Sequence, residues 1–328
     1  MSNSPHKPIQ VIIPTITKDY LRMRDLVPAR VLNHLCVSEL IFIGNNELCE
    51  EVNKDIPGRY HGMPIKILNE EELLPREPVI EYIKGRVSQI DAGLANRVRG
   101  GWYYQQFLKM LFCGKCTGQF YMSWDMDTVP IRDIELFDDD GKPVFGLKSE
   151  YNPGYFKTID NLLGLKKNID GSFISEHMVF SKGYMEEMIG LIMTRQPQGN
   201  SFWEAVIESI DQDYISLGFS EFETYGTFVT DKYPDSYSYR EFRSFRRGSW
   251  FVNESELSEE DIRWLAADYD AITFENAELI PDMAALFRNP KYRMGMSARK
   301  FYETILESGY FGEYSDGRIN AGDWYAPV

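Results

Sequence analysis

Three short apolar runs in the first seventy residues limit this chain to few folds. Ile9-Gln-Val-Ile-Ile-Pro14 is closed by a proline, and Glu39-Leu-Ile-Phe-Ile-Gly44 ends in the turn Gly44-Asn45-Asn46. The third run is Pro64-Ile-Lys-Ile-Leu68. Runs this short and this continuously apolar read as strands covered on both faces. Helical stretches are expected between them, at about residues 20–35 and 48–56. Strand alternating with helix predicts an α/β fold with a mostly parallel, doubly wound central sheet flanked by helices.

Residues 69–99 are charged and without clear periodicity, and are expected to form a long irregular connection. An amphipathic helix is predicted over 102–112, followed by the strand Gly118–Trp124. Further strands are expected at 143–148 and 173–180, with helices at 182–194 and 201–210. Beyond Gly248 the pattern weakens to acidic helical pieces at about 258–268 and 297–308. The expected organisation is one large domain over residues 1–250, with a helical extension, 251–328, packed on it.

The formal net charge of −15 over 328 residues disfavours nucleic acid as a partner, since phosphate backbones are repelled. With 43% hydrophobic residues the chain can bury a substantial core. Its 20 Tyr and 6 Trp also suit the lining of a carbohydrate site. Residues 1–8, Met-Ser-Asn-Ser-Pro-His-Lys-Pro, lack the apolar centre of a signal peptide. The run Leu40–Ile43 is far shorter than the roughly 20 residues that span a bilayer, so a cytoplasmic protein is expected. Of the cysteines, only Cys113 and Cys116 have a suggestive spacing. No second pair or histidine accompanies them, so they read as reduced thiols.

The strand Gly118–Trp124 runs directly into Asp125-Met126-Asp127. On extended backbone, alternate side chains face one way, so both carboxylates can converge on one point. Paired hard oxygen ligands suit Mg²⁺ or Mn²⁺, which keep positions open for phosphate. The end of an apolar strand is also where open α/β sheets bind ligands. Asp125-Met-Asp127-Thr-Val129 also fits the signature of haloacid-dehalogenase-like phosphatases, with Asp125 as nucleophile. That fold places its motif on the first strand, whereas three strand-like runs precede it here.

An ordered set of motifs surrounds this pair. It comprises Gly101-Trp-Tyr-Tyr-Gln-Gln-Phe-Leu-Lys109, Asp125-Met-Asp127-Thr-Val-Pro130, Ser172-Phe-Ile-Ser-Glu-His-Met-Val-Phe180, Ser201-Phe-Trp-Glu204 and Ser220-Glu-Phe-Glu-Thr-Tyr-Gly226. Over residues 8–250 the set resembles a family of bacterial GT-A-like glycosyltransferases first catalogued as a domain of unknown function. The resemblance implies a GT-A-like, Rossmann-like sheet and a nucleoside-diphosphate-sugar donor. It also implies a divalent metal and a saccharide acceptor, in surface polysaccharide assembly. A lipid-linked acceptor would bring peripheral membrane contact. A protein that binds sugar nucleotides without turnover is the alternative of a different class.

Under that resemblance Pro14 and Thr15, after the first strand, lie near the nucleotide, with Gly44 and Asn45 in the same neighbourhood. Gln105 and Lys109 share a helix face with Gln106 one step round, and are expected at donor hydroxyls and phosphate. His177 follows on a neighbouring strand as a candidate for the metal. For transfer with inversion, Glu221 and Glu223 are candidates for the base that deprotonates the acceptor; a retaining enzyme needs neither. Ser220 and Glu223 also fit a capping box, so Glu221 is preferred as the base. Within Tyr239–Gly248 a helix would align Arg240, Arg243 and Arg247, with Arg243 and Arg247 expected at donor diphosphate or at an acceptor's lipid phosphate, and surface pairing with acids as the alternative.

Overall fold

The computed structural model describes residues 8–90, 100–196, 200–275 and 277–309. The N-terminal stretch read for a signal peptide lies outside these residues up to position 7, and so does the chain beyond 309. In chain order the strands are β1 (Ile9–Pro14), β2 (Val37–Gly44), β3 (Ile65–Asn69), β4 (Phe120–Trp124) and β5 (Thr128–Pro130). They continue as β6 (Val144–Leu147), β7 (His177–Ser181), β8 (Ser238–Glu241), β9 (Ser244–Phe245) and β10 (Ala271–Thr273). The central sheet has the order β3-β2-β1-β4-β7. It is parallel except for the last pair, in which β4 and β7 run antiparallel. The expected α/β arrangement, with a mostly parallel central sheet, is therefore present.

The first two apolar runs are buried because each feeds two cores at once, whereas in β3 only Ile65 is buried. From β1 and β2, Val11, Ile13, Leu40 and Phe42 enter one core, while Ile12, Ile41 and Ile43 enter the other. Each fully buried aliphatic side chain contributes about 1.5–3 kcal/mol, so neither face can be left to solvent. Helices Asn46–Asp55 and Val27–His34 cover the first face. Helices Arg76–Ile90, Gly100–Leu111, Lys182–Arg195 and Glu221–Lys232 cover the second.

Several expectations change. The single helix at 20–35 is two, Thr17–Met23 and Val27–His34, and Pro28 occupies the first turn of the second, where its missing N–H costs nothing. Within 69–99 the helix Arg76–Ile90 replaces the irregular connection, and 91–99 lie outside the described residues. It was hidden by a polar exterior, since only Val79, Ile83 and Val87 are buried, at i, i+4 and i+8. The strand at 173–180 is confined to His177–Ser181. Tyr239–Gly248 is not a helix but the end of β8, then β9, so the arginine row does not form.

The stretch 251–309 is not purely helical. Its strand β10 joins β5 and β9 in a second, three-stranded sheet, and its helices place Phe287, Phe301 and Ile305 in the same core as β1 and β2. Among the described residues, no helix is long and apolar enough to cross a membrane.

Candidate functional site

A cleft of about 600 Å³ opens at the carboxyl ends of β1 and β4. Its wall includes Pro14, Thr15, Gln105, Gln106, Lys109, Asp125, Asp127 and Glu221. It therefore gathers eight of the residues singled out from sequence.

Asp125 and Asp127 do not reach the cleft as one extended strand. The Thr128 N–H donates to Asp125 O at 3.1 Å, closing a turn across the motif, and Met126 between the aspartates is buried in the core. Three anchors hold this turn. Asp125 N–H donates to Glu176 O on the segment entering β7 (3.0 Å), and Trp124 Nε1 donates to Thr128 O (2.8 Å). Phe274 N–H, just past β10, donates to Asp127 O (2.7 Å).

The helix Gly100–Leu111 supplies the second wall. Gln105 Nε2 donates to Pro14 O (2.8 Å), tying the helix to the end of β1. Gln106 Oε1 accepts from the Glu221 N–H (2.9 Å), so this amide positions the next helix and its oxygen is already engaged. Lys109 lies between two carboxylates, with Nζ 3.0 Å from Asp125 Oδ1 and 2.9 Å from Glu221 Oε1. The same ammonium stands 4.5 Å from the centre of the Phe222 ring. Burial pulls the lysine toward its neutral form, but Asp125 and Glu221 outweigh it and its pKa rises. Burial raises the Glu221 carboxyl, assisted by Asp125 and opposed by Lys109.

Asp127 faces a different environment. Burial first, then the charges of Asp125, Glu275 and Glu176, push its pKa up to about 7, against a weaker pull from Arg246. A second ionic group adjoins it. Lys148 Nζ is 2.5 Å from Glu176 Oε1, and Arg246 reaches Glu150 at 3.1 Å, Glu275 at 3.2 Å and Glu176 at 3.6 Å. Arg246 is the basic residue the sequence reading missed: it faces these acids while its flanking arginines turn elsewhere. Arg243 bonds to Glu241, and the Arg247 guanidinium stands 4.9 Å from the Trp250 ring centre. Neither Arg243 nor Arg247 lines the cleft. A contact between Arg246 and Glu275, 29 positions away, leaves no local signal.

Two more expectations are corrected. His177 does lie on the strand beside β4, yet its ring packs against Trp124 (5.3 Å) and Phe242 (4.3 Å), away from the aspartates. Burial holds its pKa down at about 4. Glu223 is also buried behind the cleft, where it accepts from Ser172 Oγ (2.5 Å) and from the Phe173 N–H (3.2 Å). Burial lifts its pKa to about 7. Ser220 caps this helix by accepting from the Glu223 N–H. Gly44 and Asn45 shape the scaffold: a Cβ on Gly44 would come within 2.7 Å of Thr15 O, and Asn45 caps the following helix. The cleft also takes in Glu70, Arg76, Trp102, Tyr104 and Tyr155.

Among the described residues, no three His, Cys, Asp or Glu side chains cluster as a metal cage. The donor set still suits a hard cation. Asp125 spends one oxygen on Lys109, and Asp127 is surrounded by more negative than positive charge.

The profile of a family described as a family of unknown function, DUF6492, matches residues 7–241. No curated protein matches the sequence. Solved structures with some likeness include mouse xyloside xylosyltransferase 1 in its apo form, with 10% identity and a TM-score of 0.43, covering 83% of this chain and 98% of that one. Another is the apo structure of the bifunctional glycosyltransferase WbbM, with 10% identity and a TM-score of 0.42. That match covers 90% of this chain and spans about half, 51%, of the other.

Proposed function

The chain belongs to this family of unknown function, and for it we propose metal-dependent glycosyl transfer from a nucleoside-diphosphate sugar to a saccharide hydroxyl. One observation carries the reading. The two aspartates that close β4, a lysine and a buried glutamate all open on one cleft at the carboxyl end of a parallel sheet.

In this reading Asp125 and Asp127 are the residues that would hold Mn²⁺ or Mg²⁺. The cation, when bound, offsets the charge that develops on the departing diphosphate. Lys109 fixes Asp125 and supplies a further positive charge beside the phosphates. Pro14 and Thr15 lie at the end of β1, where the nucleotide would rest. Glu221 takes the proton of the acceptor hydroxyl. Its raised pKa makes it a stronger base than a solvated carboxylate, and Lys109 opposes that rise by favouring the ionised form.

A thermal-shift screen with UDP, GDP, dTDP and CDP, each with and without Mn²⁺, tests the reading. A binder at a hundredfold excess over Kd stabilises the fold by about 2.7 kcal/mol. At least one nucleotide should raise the melting temperature in a Mn²⁺-dependent way. No shift with any of them would remove the proposal. Release of inorganic phosphate from p-nitrophenyl phosphate would instead favour the phosphatase reading.

A further inference from the structure

A second cavity, of about 390 Å³, adjoins the cleft. Tyr155 and Ile174 line both spaces, so the two share a wall. We propose that this cavity is the acceptor subsite and takes an unphosphorylated saccharide. The inference rests on the glycosyl-transfer reading for its role, and on the cavity's own chemistry for its ligand.

The volume lies within the range of about 300–1,000 Å³ typical of small-molecule sites. Three tyrosines, Tyr151, Tyr155 and Tyr214, contribute to its wall together with Glu150, Asn152 and Asp213. A sugar ring presents apolar C–H faces and polar edges. Aromatic faces beside carboxylate and amide acceptors match both. Among the described residues no lysine or arginine lines the cavity; Glu150 is paired with Arg246, and Asp213 leaves negative charge facing a phosphorylated ligand.

Two rings are held in place although solvent reaches them. Tyr151 is 63% exposed yet stacks on Phe156, with centroids 5.3 Å apart and planes 14° from parallel. Tyr214 is backed by Lys157, whose Nζ is 4.7 Å from the ring centre. Its position depends on Gly154, because a Cβ there would fall 2.6 Å from the ring. Side chains fixed before the ligand arrives lose less freedom on binding.

The shared wall gives the cavity a direction. Tyr155 lines the cavity and also the cleft that holds Glu221. A sugar seated against Tyr151 and Tyr214 therefore points its leading hydroxyl past Tyr155 toward the cleft. There the hydroxyl oxygen forms the new bond to the anomeric carbon, its proton passes to Glu221, and the bond to the diphosphate breaks with its electron pair.

Saturation-transfer NMR on the full chain separates this inference from the one beneath it. The probes are the methyl glycosides of glucose, galactose, N-acetylglucosamine and rhamnose, with glucose 6-phosphate as the charged control. At least one neutral glycoside should bind. Tyr151→Ala and Asp213→Asn should each weaken it about five- to tenfold, with the nucleotide thermal shift unchanged. Absence of binding by every neutral glycoside would overturn the subsite. So would equal binding to wild type and both variants, or preference for the phosphate ester. Glycoside binding that depends on Tyr151, without any nucleotide shift, would uphold the subsite and sink the transfer reading.

Discussion

The Lys109 ammonium lies 2.9 Å from the Glu221 carboxylate, with both side chains about 95% removed from solvent. An ion pair at this depth is costly to break, because the partner left behind keeps a charge with no water to hold it. Lys109→Met should destabilise the fold by about 3–5 kcal/mol. The double variant with Glu221→Gln should recover part of the loss. Urea denaturation of the three variants measures both effects, and additive losses would show that the pair is not coupled.

Glu221 and Glu223 separate by their surroundings. Glu221 lines the cleft, whereas Glu223 is bonded to Ser172 and Phe173 behind it. Glu221→Gln should lower turnover by about 10²–10⁴-fold, with nucleotide binding retained. Glu223→Gln should keep turnover and lower the unfolding midpoint instead. Assays with the donor found by the nucleotide screen decide between them.

Asp127 is held near pH 7 by burial and neighbouring acids, against an ordinary value of 3.8. The fold therefore retains this proton more tightly than the unfolded chain does, and metal-free stability falls as pH rises from 3.8 toward 7. Asp127→Asn removes the penalty. Without metal the variant should melt higher than wild type at about pH 8, with the gain fading in acid. Mn²⁺ with nucleotide should stabilise wild type alone. A Mn²⁺ shift that survives in the variant would take Asp127 out of the cation site.

His177 behaves oppositely. Burial lowers its pKa from 6.5 to about 4, so between those values the unfolded chain binds more protons and the fold loses stability as pH falls. The loss across that window is on the order of 3 kcal/mol. His177→Met should flatten this part of the acid limb, read as the difference in unfolding free energy between variant and wild type. A parallel pair of curves would show that the imidazole is not held neutral.

How far the sequence could be read depended on whether each signal was local. Strands β1 and β2 announced themselves because both their faces are buried, which leaves a nearly continuous apolar run. Asp125 and Asp127 were visible for the same reason, through the strand before them. Arg240, Arg243 and Arg247 matched a helical spacing that a short strand, a turn and another strand share by coincidence. In β10 only Ala271-Ile-Thr273 is extended, too short to stand out, and its value lies in pairing with Thr128–Pro130 far upstream. His177 looked like a ligand because sequence reports which residue follows which, not which face of β7 each side chain takes.

The bond from Gln105 Nε2 to Pro14 O carries one more consequence. Through it, and through Lys109 and Gln106, a single helix grips the end of β1, Asp125 and Glu221 together. These parts form one jaw that cannot flex internally without breaking several buried bonds. The spacing between Asp125 and Glu221 is therefore set by the fold before any ligand arrives.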